Sequence, residues 1–271
     1  MKIALCLFGN MRTFDVCAPS LVRHVLKNND CDIFIHTWDT LNHKTQTWHD
    51  NVAFRTNTST KTVRDKILQW YSPVRMIIES QEIVDMGNIV SANRQISIFG
   101  INAMVYSMEQ ANILRQRYES ELGIKYDYVL FTRPDVFFKS DLLISEIQSE
   151  FTDCNLDESL LCACHPIGRV LTLERTNCYD LIFLARPSVI DNFFKNKKQF
   201  LDLFTPGALY HLGPEYYFVQ TFAKLQYDIV LLNFIYDRDF KIVRLERKRE
   251  RRKNILKKII RKIRDAICFG H

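Results

Sequence analysis

The stretch Tyr126-Asp-Tyr-Val-Leu-Phe-Thr-Arg-Pro-Asp-Val-Phe-Phe138 decides how this chain is interpreted. It has the pattern of a buried strand that ends abruptly at Arg133 and Asp135, after which a second apolar run begins. In an open α/β sheet, ligands bind outside the carboxyl ends of the strands. A carboxylate there can hold a divalent metal ion, and an arginine can hold a phosphate. The alternative is a strand-end salt bridge or a turn cap around Pro134.

Short apolar runs alternate with helical patterns on both sides of this stretch, which predicts β-α-β units around a mostly parallel sheet. The longest predicted helix covers residues 102–123 and stops at Gly123. Two later helices are predicted to begin at Pro187 and Pro214. The predicted fold class is therefore α/β, with a central sheet flanked by helices. The predicted strands cover residues 3–8, 32–37, 74–78, 126–133, 159–164, 179–185 and 229–234.

Composition indicates a globular protein with a substantial interior, because 47% of the 271 residues are apolar and only 8 are glycine and 7 proline. The eight cysteines include no Cys-x-x-Cys pair and no zinc-like spacing. The first apolar run is too short for a signal peptide, and no run approaches the ~18 residues of a membrane span. We therefore expect a cytoplasmic location with reduced cysteines.

The positive charge of the chain is concentrated at its C-terminal end. Residues 241–271 hold 13 Lys/Arg against 3 Asp/Glu, whereas the preceding 240 residues hold 24 Lys/Arg and 28 Asp/Glu. The pattern predicts a body, residues 1–240, followed by a basic amphipathic helical tail, residues 241–271, that binds an anionic membrane surface. The alternatives are a tail docked on the body by its isoleucine face and a nucleic-acid arm. Nucleic acid is not an expected partner, since the acidic body offers it no second basic face. The apolar stripe consists of Ile255, Leu256, Ile259, Ile260, Ile263 and Ile267.

Two other predicted strands also end in polar residues. Gly9, Asn10 and Arg12 follow the first strand, where the glycine permits a tight turn and the arginine can reach a diphosphate. Asp39 follows the second strand, where it can accept a hydrogen bond from a sugar hydroxyl. The alternatives are a surface arginine and a turn-capping aspartate. Together with Arg133 and Asp135, these residues predict a phosphorylated ligand at one edge of the sheet.

Four motifs, in this order and spacing, carry a resemblance to a known family. They are Ile3-Ala-Leu-Cys-Leu-Phe-Gly-Asn-Met-Arg-Thr-Phe14, Cys31-Asp-Ile-Phe-Ile-His-Thr-Trp-Asp39, Val105-Tyr-Ser-Met-Glu-Gln-Ala-Asn112 and Tyr126-Asp-Tyr-Val-Leu-Phe-Thr-Arg-Pro-Asp135. This set resembles the bacterial glycosyltransferases encoded in capsule and lipopolysaccharide gene clusters. The resemblance covers residues 1–235 and implies a single GT-A-like domain, the fold of nucleotide-diphospho-sugar transferases.

The resemblance also implies roles for individual residues. Gly9, Asn10 and Arg12 would line the nucleotide pocket. Asp39 is expected to bind the ribose or the sugar because of its position after the second strand, not because of the resemblance. The Arg133-Pro-Asp135 segment takes the place of the Asp-x-Asp motif that holds metal and donor diphosphate, which makes Asp135 a candidate Mn²⁺ or Mg²⁺ ligand. Here Arg133 stands where that motif has its first acid. The alternative is therefore a metal-free site, in which Arg133 itself neutralises the diphosphate.

A general base is also needed if the reaction inverts the anomeric centre, and Asp180 and Glu215 are the candidates. For Glu215 the alternative is an acid in the first turn of a helix, favoured by the helix dipole.

The expected function is transfer of a sugar from a nucleotide-diphosphate donor, most simply a UDP-sugar, to a glycan or lipid-linked glycan acceptor of capsule or lipopolysaccharide. The expected location is the cytoplasmic face of the membrane, where the protein would be peripheral. One alternative is transfer of another activated group, such as phosphoryl, onto glycans. The other is a non-catalytic, membrane-associated protein with a GT-A-like fold.

Overall fold

A computed structural model shows the fold and describes residues 1–41, 60–91, 94–164 and 178–244. Residues 245–271, which carry most of the predicted amphipathic tail, lie outside the described residues. Within the described ranges, no helix combines the length and the hydropathy that a membrane crossing requires.

The described residues form strands and helices in alternation, which confirms the predicted α/β class. The strands are β1 Lys2–Phe8, β2 Asp30–Trp38, β3 Arg75–Glu79, β4 Asn88–Ser91, β5 Arg94–Ser97, β6 Tyr128–Thr132, β7 Val136–Phe138, β8 Ser159–Cys164, β9 Cys178–Ala185, β10 Leu209–Tyr210, β11 Asp228–Ile235 and β12 Phe240–Ile242. The helices are α1 Phe14–Leu21, α2 Thr60–Tyr71, α3 Ile98–Leu122, α4 Ile144–Glu150, α5 Pro187–Lys195, α6 Lys198–Leu201 and α7 Pro214–Lys224.

Seven strands form one mixed sheet in the order β11-β8-β9-β6-β1-β2-β3. β1 runs parallel to both of its neighbours, β2 and β6, and β2 runs parallel to β3. β9 is antiparallel to β6 and to β8, whereas β11 is parallel to β8. The seven predicted strands are all present, and their ends differ from the prediction by no more than two residues.

Helices cover both faces of this sheet, which explains the continuous apolar runs in the sequence. Along β1, Cys6 and Phe8 pack on the face covered by α3, α5 and α7, whereas Leu5 and Leu7 pack on the face covered by α1 and α2. A strand buried on both faces needs apolar residues at every position rather than at alternate ones.

Two smaller sheets complete the body. One has the order β10-β4-β5, and the other pairs β12 with β7 in antiparallel register. In the second sheet, Lys241 lies opposite Phe137 and Ile242 opposite Val136. Strand β12, which spans the predicted boundary between residues 240 and 241, is therefore paired with the body.

The strand order creates a switch point between β1 and β6. From β1 the chain adds β2 and then β3 on one side, and it later places β6 on the other side of β1. Crevices at such points, outside the carboxyl ends of the strands, are the usual ligand sites of open α/β sheets. β9 is antiparallel to β6, with Ile182 opposite Thr132. The first residues of β9 therefore lie at the edge of the sheet where β1 and β6 end.

Candidate functional site

The loop after β1 is held in place by contacts from two other parts of the chain. Gly9, with a φ of +85°, donates its backbone N–H to Ser107 Oγ on α3 at 2.7 Å. The Asn10 side chain donates to the carbonyl of Thr40 at 3.0 Å, and the Arg12 N–H donates to the carbonyl of residue 41 at 2.8 Å. Arg12 has a φ of +46°, in the left-handed region that non-glycine residues seldom occupy. These contacts fix the backbone from which the Arg12 side chain extends.

That side chain reaches Asp135, the carboxylate at the centre of the site. Arg12 Nη1 donates to Asp135 Oδ2 at 2.9 Å. Arg133 binds the same carboxylate with two bonds, from Nε to Oδ1 at 3.0 Å and from Nη2 to Oδ2 at 2.9 Å. Arg244 forms an ion pair with Oδ2. Asp135 is fully buried, and we call these three arginines the arginine cluster.

Arg244 enters the site because the chain continues past β12 alongside Asp135. The Val243 N–H donates to the carbonyl of Asp135 at 2.9 Å, and Thr13 Oγ1 donates to the carbonyl of Val243 at 2.7 Å. Sequence reasoning missed Arg244, since it assigned this residue to the membrane-binding tail. The available signal was the alternation of Phe240 and Ile242 with polar residues, which is typical of a short half-buried strand.

The cluster concentrates positive charge away from water. Burial lowers the pKa of all three arginines, and the charges of neighbouring arginines lower it further at Arg12 and Arg244. Arginine nevertheless remains protonated in proteins. The buried Nε atoms of Arg12 and Arg244 have no hydrogen-bond partner among the described residues. Three guanidinium groups thus surround one carboxylate and leave donors unused.

The two candidate bases, Asp180 and Glu215, belong to the same site. Asp180 is the third residue of β9, and Glu215 lies in the first turn of α7. Burial, together with the nearby charge of Asp180, raises the pKa of Glu215 to about 7, against the opposing effect of Arg133. Burial also raises the pKa of Asp180, and the nearby Arg133 and Arg12 oppose that rise. Carboxyl groups with raised pKa values beside a cluster of charged groups are typical of acid–base chemistry.

Asp39 lies at the same edge, but its described contact is made by the backbone. Its N–H donates to the carbonyl of Glu79 at 2.7 Å, which continues the pairing of β2 with β3. Its side chain makes no hydrogen bond to another described residue. The neighbouring Trp38 is buried and stacks on Tyr106 with ring centroids 5.7 Å apart, so Trp38 is a core residue.

The donor set around Asp135 does not fit a divalent cation. Mg²⁺ and Mn²⁺ bind to sites that are rich in oxygen ligands, whereas both oxygens of Asp135 face guanidinium groups. Among the described residues, no group of three or more His, Cys, Asp and Glu side chains is arranged to hold a metal ion. Both oxygens of Asp135 are therefore engaged by arginine side chains, which are typical partners of anions.

The chain belongs to a family described as a domain of unknown function, DUF7796, whose model matches residues 1–153. This range contains Gly9, Arg12, Arg133 and Asp135, whereas Asp180, Glu215 and Arg244 lie beyond it. No curated protein matches the chain.

Asp135→Asn is expected to lower the free energy of unfolding by about 3–5 kcal/mol, because it leaves buried arginines without their counter-charge. Urea denaturation of the full chain measures this loss. The control is Asp202→Asn, which neutralises an exposed carboxylate paired with Lys198. It should cost less than about 1 kcal/mol. Equal stability of the two variants would contradict a structural role for the Asp135 charge.

Glu215→Gln is expected to flatten the pH dependence of stability. The folded-state pKa of Glu215, about 7, lies above its ordinary value of 4.5, so the folded protein holds this proton more tightly than the unfolded chain. Its contribution to stability is fully present below pH 4.5 and is lost as the pH rises through 7. Melting temperatures between pH 4.5 and 8 test this. The exposed Glu121→Gln is the control, and an unchanged slope in Glu215→Gln would contradict the assignment.

Proposed function

We propose that this protein is a glycosyltransferase with a GT-A-like fold, which transfers a sugar from a nucleotide-diphosphate donor to a capsule or lipopolysaccharide glycan. The observation that carries the proposal is the arginine cluster at the switch point between β1 and β6. The mixed α/β sheet is compatible with a GT-A fold, and the resemblance in the motifs described above supports the donor class.

The position of the cluster matches the needs of a diphosphate donor. In such a donor, the bond between the sugar C1 and the terminal phosphate oxygen breaks, and negative charge develops on the departing diphosphate. Arg12 and Arg133 are two fixed cations at the carboxyl ends of β1 and β6, where they can stabilise this charge. Gly9 and Asn10 lie in the loop that would approach the nucleotide, and Asp39 remains a candidate for a ribose or sugar hydroxyl.

Asp135 has a different role in this proposal from that of a metal ligand. Its buried carboxylate orients Arg12 and Arg133 and separates their charges when no ligand is bound. Arginine offers a planar set of donors that matches phosphate oxygens. A site of this type stabilises the leaving group with side chains of the protein itself, so we propose that transfer does not require a divalent metal ion.

Glu215 is the proposed general base, with Asp180 beside it. The acceptor hydroxyl attacks the sugar C1 while its proton passes to the carboxylate, which gives an inverting reaction. A base works best when its pKa is near the working pH, and the pKa of Glu215 is about 7. The Asp180 charge contributes to this value by disfavouring a second negative charge nearby.

A second candidate is transfer of a phosphoryl group onto glycans, which the same arginine cluster favours. Arginines stabilise the charge on a transferred phosphoryl group as well as on a leaving diphosphate. The products discriminate the two reactions. A glycosyltransferase releases nucleoside diphosphate from a sugar nucleotide, whereas a phosphoryl transferase adds phosphate to the acceptor.

We further propose that the basic segment after residue 244 holds the protein on the cytoplasmic face of the membrane as a peripheral protein. Support comes from the sequence alone, since residues 245–271 lie outside the described ranges. A location near lipid-linked acceptors suits a transferase that extends surface glycans.

The nucleotide site is tested by calorimetric titration of UDP, GDP, CDP and CMP into the full chain, with EDTA and with Mn²⁺. We expect UDP to bind with micromolar affinity in either condition. Arg133→Gln should weaken binding at least about 10-fold, since a hydrogen bond to a charged group contributes about 1.5–3 kcal/mol. The exposed Arg75→Gln is the control. An absolute requirement for Mn²⁺ would overturn the metal-free site, and no nucleotide binding would favour the non-catalytic alternative.

The membrane proposal is tested with the double variant Ile259→Asp and Ile263→Asp in the full chain. Two acidic residues in the apolar stripe should abolish co-sedimentation with phosphatidylglycerol vesicles, because they interrupt the apolar stripe and add two negative charges to the segment. Vesicles of phosphatidylcholine alone are the control for charge. Undiminished co-sedimentation of the variant would contradict the proposal.

A further inference from the structure

We propose that Arg244 is a phosphate-binding residue of the candidate site, and that it makes the site selective for a diphosphate over a single phosphate. The inference rests on the proposed function, because it names a further residue of the same site and narrows the class of ligand. Nothing in the sequence distinguishes Arg244 from the basic residues that follow it; its placement in the structure does.

Arg244 follows directly on the β12 pairing with β7, and Val243 is fixed by hydrogen bonds with the Asp135 carbonyl and with Thr13 Oγ1. The Arg244 side chain is 18% exposed and pairs with Asp135, whereas Lys241 on the same segment is exposed to solvent. A residue recruited for membrane attraction would keep its charge in water, as Lys241 does. Arg244 instead places its charge beside Arg12 and Arg133.

The arginine cluster carries more positive than negative charge. Three guanidinium groups face one carboxylate, which leaves two positive charges in excess within the cluster. Burial raises the pKa of Asp180 and raises that of Glu215 to about 7, which opposes the charged form of each acid beside the cluster. A sugar nucleotide joined through two phosphates carries two negative charges on its bridge, and one joined through a single phosphate carries one. The excess therefore matches a diphosphate bridge, and without Arg244 it would match a single phosphate.

The arginine cluster also has hydrogen-bond donors that Asp135 does not use. The buried Nε atoms of Arg244 and Arg12 have no partner among the described residues. A buried donor without a partner carries a free-energy penalty, and phosphate oxygens relieve it when they bind. Asp135 alone cannot satisfy all the donors of three arginines, because it has only two oxygens. The oxygens of a diphosphate supply several further hydrogen-bond acceptors for these guanidinium groups.

The test is calorimetric titration of inorganic pyrophosphate and of orthophosphate into the full chain, as wild type, Arg244→Gln, Arg244→Lys and Lys241→Gln. The titrations are run at about pH 5.5, where pyrophosphate carries about two negative charges and orthophosphate about one, because the next proton of each dissociates above that pH. Lys241→Gln is the matched control, since it removes one positive charge from the same segment at an exposed position. We expect Arg244→Gln to weaken pyrophosphate binding at least about 10-fold while orthophosphate binding changes little. Arg244→Lys keeps the charge and should recover part of the affinity, and Lys241→Gln should bind as wild type does.

A merely structural role would not change the ratio of the two affinities. Arg133 and Arg12 still neutralise Asp135 in Arg244→Gln, so its melting temperature should stay close to that of the wild type. If Arg244→Gln retains the wild-type preference for pyrophosphate, the inference is overturned and the proposed function keeps Arg12 and Arg133. If the wild type binds UDP but not pyrophosphate, the inference about Arg244 fails and the proposed function stands. If the wild type binds neither pyrophosphate nor any nucleotide, the proposed function fails with it.

Discussion

A single buried carboxylate organises the candidate site, because Asp135 brings together three arginines from distant parts of the chain. Arg12 comes from the loop after β1, Arg133 from the end of β6 and Arg244 from the segment after β12. Three like charges at this depth would repel one another strongly, since the effective dielectric constant is lower there than in water. The Asp135 carboxylate offsets that repulsion and, through its backbone carbonyl, also receives the Val243 N–H. Guanidinium groups from three segments therefore meet at one side chain.

The site has two parts that respond differently to pH. The arginines remain charged throughout the physiological range, whereas burial moves the pKa of Glu215 to about 7 and raises that of Asp180. Permanent positive charge suits the binding of a leaving diphosphate, and a carboxyl group that titrates near neutrality suits proton transfer from an acceptor. Arg133 interacts electrostatically with both acids, so occupation of the cluster by an anion would raise the pKa of Glu215 further. Anion binding at the cluster and the protonation state of Glu215 are thus physically linked.

Much of the fold could be predicted from the sequence, because strands buried on both faces have continuous apolar runs that stand out between polar segments. The convergence of Arg12, Arg133 and Asp135 followed from the rule that the carboxyl ends of neighbouring parallel strands lie at one edge. Asp180 reaches this edge only because β9 is antiparallel, and the direction of a strand within a sheet cannot be read from its apolar pattern. The pairing of β12 with β7 joins segments about a hundred residues apart, so the alternation of Phe240 and Ile242 can indicate a short strand but not its partner. The basic composition of the region concealed Arg244.

The position of Arg244 also constrains how the basic C-terminal segment relates to chemistry in the body. Arg244, which completes the arginine cluster, immediately precedes residues 245–271, and that segment carries nearly all of the excess positive charge. If an anion binds to the cluster, it stabilises the docking of residues 240–244, because Arg244 can hold the anion only while β12 is paired with β7. By linkage, anything that changes the docking of this segment changes the affinity for the anion by the same factor. If a membrane surface attracts residues 245–271, as we propose, it acts on the chain directly after Arg244. Membrane binding and donor binding would therefore be coupled through the backbone of a single short strand, without any contact between lipid and donor.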